Sequence, residues 1–97
     1  MVGHDGARVA ELRKQHRPAH LASLEELGRA GRIAHAGPLL DAAGSPVGSL
    51  VVFEAADLEE AQARAAADPY VVEGVFERYS VLETRAVLGD RAQEASA

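Results

Sequence analysis

The sequence predicts an α+β fold, a βαββαβ split sandwich with two helices on one face of a four-stranded antiparallel sheet. Three observations predict it. Leu21, Leu24 and Leu27 recur at helical spacing, as do Leu58, Ala61 and Ala65. Between and after these stripes stand strand-like runs, SLVVFEA at 49–55 and VFERYSVLETRAVL at 75–88. Ninety-seven residues hold a single core, so the elements must share it.

Taken in order, residues 1–4 are the only ones that can supply a first strand. ARVAELRKQH at 7–16 has weak helical character, with Val9, Ala10 and Leu12 as its apolar points. The first helix is expected from about Pro18, because proline is tolerated in a first turn, to Ala30, with Gly31 ending it. A short strand centred on Ile33 should stop at Gly37-Pro38, where proline removes a ladder donor. DAAGSPVG at 41–48 is turn chemistry leading into the 49–55 strand. Asp57 and Glu60 have capping-box spacing and open the second helix, which Asp68-Pro69 closes. YVVEG can add one turn before the last strand. One domain over residues 1–89 is expected, with 90–97 as a polar, frayed tail.

Composition excludes several classes of function. Apolar residues make up 47% and charged residues 26%, too apolar for intrinsic disorder. The net charge of −5, with arginines scattered from Arg8 to Arg91, argues against nucleic-acid binding. Without cysteine there is no disulfide, thiolate nucleophile or Cys-ligated zinc. Apolar runs such as residues 50–53 are far too short for a membrane span, and the N-terminal MVGHDGARV is unlike a signal peptide, so a cytoplasmic protein is expected. Only Phe53, Phe76, Tyr70 and Tyr79 are aromatic, which leaves Ala, Leu and Val to fill a thin core. Strand 49–55 is apolar on both sides, Val51 and Phe53 on one and Leu50 and Val52 on the other. The sheet must then be covered twice, once by its helices and once by a second subunit, so a homodimer is expected.

Element directions in this topology gather the unusual polar residues at one rim: Asp5, Arg17 with His20, Pro38, Ser49, and Asp68 with Tyr70. His20 shares a helical face with Leu24 and Leu27, so it points beneath its helix. Alone it reads as a core histidine, and Asp68 alone as a turn-forming Asp-Pro. A carboxylate at the end of the second helix is unfavourably placed relative to the helix dipole, which argues for a purpose. Together, an imidazole facing a carboxylate suits general acid–base work. His16 and His20 have metal-pair spacing, but Pro18 lies between them, so no metal is expected. His4 is too close to the terminus to assign, and His35, in the second strand, is expected to pack or face solvent. Neither a phosphate-binding glycine loop nor a G-x-S-x-G elbow occurs.

GHDG at 3–6, ELRKQHRPAHLASL at 11–24, AGPLLDAAGSPVGSLVVFEA at 36–55 and ADPYVVEGVFERYSV at 67–81 resemble the YciI-like (YCII-related) family over nearly the whole chain. The resemblance implies a ferredoxin-like fold in the dimeric α+β barrel superfamily, and a site built on a His and an Asp, here His20 and Asp68. One relative removes chloride from a chlorinated hydroxyhydroquinone, and the superfamily includes muconolactone isomerase. This implies cofactor-free proton-transfer chemistry on a small substrate. Family members carry several apolar residues before the GHDG-like block, where this chain has Met1-Val2, so a shortened first strand is expected.

The function expected is therefore that of an isomerase, lyase or dehydrochlorinase. His20 would be acid or base and Asp68 its orienting partner. Asp5, Arg17, Ser49, Pro38 and Tyr70 would line the substrate pocket, with Arg17 either gripping a substrate anion or pairing with Asp5 or Asp68. The alternative is a non-catalytic dimeric module that binds a small metabolite or serves as an accessory subunit.

Overall fold

The computed structural model describes residues 1–92. The chain runs β1 (Val2–Asp5), α1 (Ala10–Arg29), β2 (Ile33–Leu40), β3 (Pro46–Phe53), α2 (Leu58–Ala66), α3 (Pro69–Val72) and β4 (Phe76–Ser80). The sheet order is β2-β3-β1-β4 with every pair antiparallel. This is the ferredoxin-like sandwich, with the single turn α3 added to its two long helices. Leu24, Leu27, Ala65, Val51 and Phe53 surround one small void, so both long helices lie on the same face of the sheet.

Helix α1 departs from expectation. It begins at Ala10, eight positions before the proline, and carries Pro18 in its interior. An interior proline costs about 3 kcal/mol because the Lys14 carbonyl loses its helical donor. Here Pro18 is exposed, leaving that carbonyl to water, while Val9 and Leu12 pack against the core and hold the first turns in place. Leu21, expected in the buried stripe, is 38% exposed, and the buried positions are His20 and Leu27. Gly31, with φ of 71°, follows the helix as expected, and the Arg32 amide returns to the Leu27 carbonyl.

Strand β2 also runs on through Gly37-Pro38 to Leu40. It is an edge strand, where a missing N–H can face solvent without breaking a ladder. Strand β4, expected to continue to residue 88, stops at Ser80. Its partner β1 is only four residues long, and the pairing ends at Val2 opposite Ser80. Met1 extends the other side of β1 by exchanging two backbone hydrogen bonds with Val51, of 2.7 and 3.0 Å.

Helix α2 starts as its sequence indicates, with the Asp57 carboxylate accepting from the Glu60 amide at 2.8 Å. Leu58, expected to be buried, is 42% exposed at that helix start. The core is Met1, Val51, Ala65, Tyr70, Val75 and Phe76. It is less aliphatic than composition suggested, because two of the four aromatics lie in it. Gly3 makes room for one of them: a Cβ there would sit 2.5 Å from the Phe76 ring. Of the C-terminal tail, only residues 90–92 fall within the described residues; there the Arg91 guanidinium donates to the Gly31 carbonyl at 2.8 Å.

Candidate functional site

The site grows from the Asp68-Pro69 dipeptide. A residue before proline avoids the α region, and Asp68 adopts φ −62° and ψ 131°. That extended residue separates α2 from α3 and caps the latter: Asp68 Oδ1 accepts from the Tyr70 amide at 2.8 Å. The carboxylate thus belongs to the beginning of a helical turn, where negative charge is favourable. The unfavourable dipole placement expected from the sequence is thereby corrected.

The capped carboxylate faces α1. His20 Nδ1 lies 2.8 Å from Asp68 Oδ1 and 3.0 Å from Oδ2. Both side chains are buried, at 8% and 6% exposure. An ionised carboxylate only accepts, so this contact requires a proton on Nδ1 and leaves the lone pair of the neutral ring on Nε2. Nε2 has no hydrogen-bond partner among the described residues. Because α1 begins at Ala10, the pair sits beneath the middle of that helix rather than at its first turn.

Tyr70 supports the imidazole. Its ring stacks on His20 with centroids 3.9 Å apart and planes within 10°, and meets the edge of Phe76 at 5.7 Å. Burial pushes the Tyr70 phenol above its ordinary value near 10. Arg13 and Arg17 pull in the opposite direction, and Asp5 and Asp68 add to the rise. The balance favours the protonated phenol.

A second polar group lies beside the first. Arg13 Nη1 donates to both oxygens of Asp5, at 2.8 and 2.9 Å. Its Nη2 donates to Ser49 Oγ at 2.9 Å and to the Gly48 carbonyl at 3.1 Å. The guanidinium carbon stands 4.8 Å from the Tyr70 ring centroid. Asp5, Ser49, Tyr70, His20 and Asp68 are thus brought together. Arg17 stands at the edge of this group, near enough to act on the Tyr70 phenol, but it is exposed and among the described residues pairs with neither Asp68 nor Asp5, which Arg13 holds. Pro38 is exposed in β2 opposite the buried Ser49.

Arg13 escaped the sequence reading although a signal was present. It lies seven residues before His20, on the same helical face, but only if the helix continues back through Pro18. His16, which lies inside α1, stands 3.7 Å from Glu73 across to α3. Among the described residues, no three His, Cys, Asp or Glu side chains are grouped as they would need to be to hold a metal ion. No helix of the described residues is long and apolar enough to cross a membrane.

The sheet order and the buried imidazole–carboxylate contact define a ferredoxin-like α+β protein with a His20–Asp68 pair under its first helix. The chain belongs to the YCII-related family, whose domain matches residues 1–85. It is 47% identical over 87 residues to Protein YciI of Escherichia coli O6:H1, covering 84% of this chain and 89% of that protein. The same figures hold for Protein YciI of Shigella flexneri. Among solved structures it is similar to 5-chloro-2-hydroxyhydroquinone dehydrochlorinase (TftG) from Burkholderia phenoliruptrix AC1100, in complex with 2,5-dihydroxybenzoquinone. That likeness has a TM-score of 0.79 at 25% identity and covers 96% of this chain and all of the other.

Proposed function

We propose that this chain is a cytoplasmic, homodimeric small-molecule enzyme that works by general acid–base chemistry without a cofactor. The observation that carries the reading is the buried Nδ1–carboxylate contact at 2.8 Å, with Nε2 unbonded among the described residues. In that tautomer Nε2 takes a proton from the substrate. Asp68 then stabilises the imidazolium through a charge-assisted hydrogen bond, and Nε2 can return the proton at another position or release it to water. Return gives isomerisation. Release accompanies elimination of a leaving group such as chloride, and neither course needs an external electron acceptor. The similarity to the dehydrochlorinase favours hydroxylated six-membered rings as the substrate class. Ser49, Asp5 and Tyr70 would form the polar wall, and the exposed Arg17 and Pro38 would meet the substrate at the rim.

The sheet face away from the helices supports the dimer reading. Val2, Leu50 and Val52 are half-buried there and line an open groove of about 830 Å³ whose far side is formed by residues 81–86. A second copy laid on this face would remove that apolar surface from water.

The test is chloride release from 5-chloro-2-hydroxyhydroquinone, together with turnover of a panel of small phenols and lactones. The native chain is expected to turn over at least one compound, and His20→Ala to lose about a hundredfold or more while staying folded. Full activity in His20→Ala would overturn the assignment. Saturable binding with no turnover would favour the accessory module.

A further inference from the structure

Arg13 belongs to no substrate-binding or proton-transfer role described above, yet it makes more polar contacts than any other side chain near His20. Its two terminal nitrogens make four hydrogen bonds, to Asp5 on β1 and to Gly48 and Ser49 on β3. With both nitrogens committed, and the side chain 13% exposed, Arg13 has no terminal donor left for a substrate.

What remains open is its flat face, and that face lies against Tyr70. Arg13 and His20 are seven residues apart on α1, roughly 10.5 Å along the helix axis, which leaves space for one aromatic ring between them. The imidazole covers one face of Tyr70 at 3.9 Å, and the guanidinium carbon lies over the same ring 4.8 Å from its centroid, an arrangement that fits a ring held between the two. Tyr70 comes from α3, a single turn, and its ring is held by what packs on it: Phe76 from the core side, and His20 and Arg13 from α1. The sheet therefore holds Arg13, Arg13 holds Tyr70, and Tyr70 backs the imidazole.

We propose that Arg13 is a positioning residue: its four-bond anchorage to β1 and β3 clamps Tyr70 against His20 and so fixes the plane of the imidazole toward Asp68. This rests on the acid–base reading of His20 for its significance, but its test needs no substrate.

The experiment is proton and nitrogen NMR of the histidine rings in the full chain. In the native protein, stacking on Tyr70 should displace the His20 carbon-bound ring protons upfield, and Nδ1 should carry the proton. Arg13→Met should remain folded by circular dichroism while losing most of the displacement. Arg13→Lys should lose it too, because an ammonium keeps the charge but not the planar fork. Should Arg13→Met fail to fold, Ser49→Ala decides: it removes one anchor, and a partial loss is expected. A native His20 without upfield displacement, or a folded variant with unchanged His20 signals, overturns the proposal. Failure of the catalytic reading would appear separately, as full turnover in His20→Ala.

Discussion

The Tyr70 ring lies flat on the His20 imidazole, 3.9 Å away, while its own backbone amide donates to the carboxylate that binds the same imidazole. One residue thus touches the histidine directly and orients its partner. Burial raises the Tyr70 phenol above 10, so the folded chain holds that proton more tightly than the unfolded chain. The associated stability is fully present below pH 10 and is lost as pH rises through the elevated folded value. Urea denaturation across alkaline pH should show a steeper loss in the native chain than in Tyr70→Phe. In absorbance titration, Tyr70 should ionise above its ordinary value near 10. Equal alkaline slopes would contradict this.

Asp68 should separate its two roles by substitution. Asparagine can still accept from the Tyr70 amide, because it caps helices about as well as aspartate, but it cannot neutralise an imidazolium. Asp68→Asn is expected to fold and to lose about a hundredfold in turnover on any substrate found. Asp68→Ala loses the cap as well, and should be less stable than Asp68→Asn by about 1 kcal/mol in urea denaturation.

The two arginines of α1 give a sharper contrast. Arg13 pairs with Asp5 at 2.8 Å with both side chains largely buried, so removing it strands a carboxylate. Arg13→Ala should cost roughly 3 kcal/mol. Arg17 is exposed, and Arg17→Ala should change stability by no more than about 0.5 kcal/mol. Similar denaturation midpoints for the two variants would show that the Asp5 pair contributes little.

How much of this was legible in the sequence depended on whether the signal was local. Asp57 and Glu60 announce a cap that needs no tertiary context, and Gly31 closes a helix by its own φ of 71°. The pairing of His20 with Asp68 was legible because topology carries both residues to one flank. The length of β4 was not, since its end at Ser80 is set by the register against β1, where Ser80 stands opposite Val2, and local sequence does not carry that register. Arg13 was hidden for a related reason. Pro18 reads as a helix start, and only packing of Val9 and Leu12 against the core carries α1 back past it.

Gly3 tests the sheet beneath the site. Its missing Cβ leaves space for the Phe76 ring, which in turn meets the edge of Tyr70 at 5.7 Å. A methyl at Gly3 would stand 2.5 Å from that ring, and Phe76 is 7% exposed, so it has little freedom to retreat. Overpacking of this kind costs about 1–3 kcal/mol. Gly3→Ala should lower the urea midpoint accordingly and shift the Tyr70 and His20 ring signals, because the displaced Phe76 presses on the same stack. A fully stable Gly3→Ala with unmoved ring signals would mean that Phe76 packs elsewhere in solution.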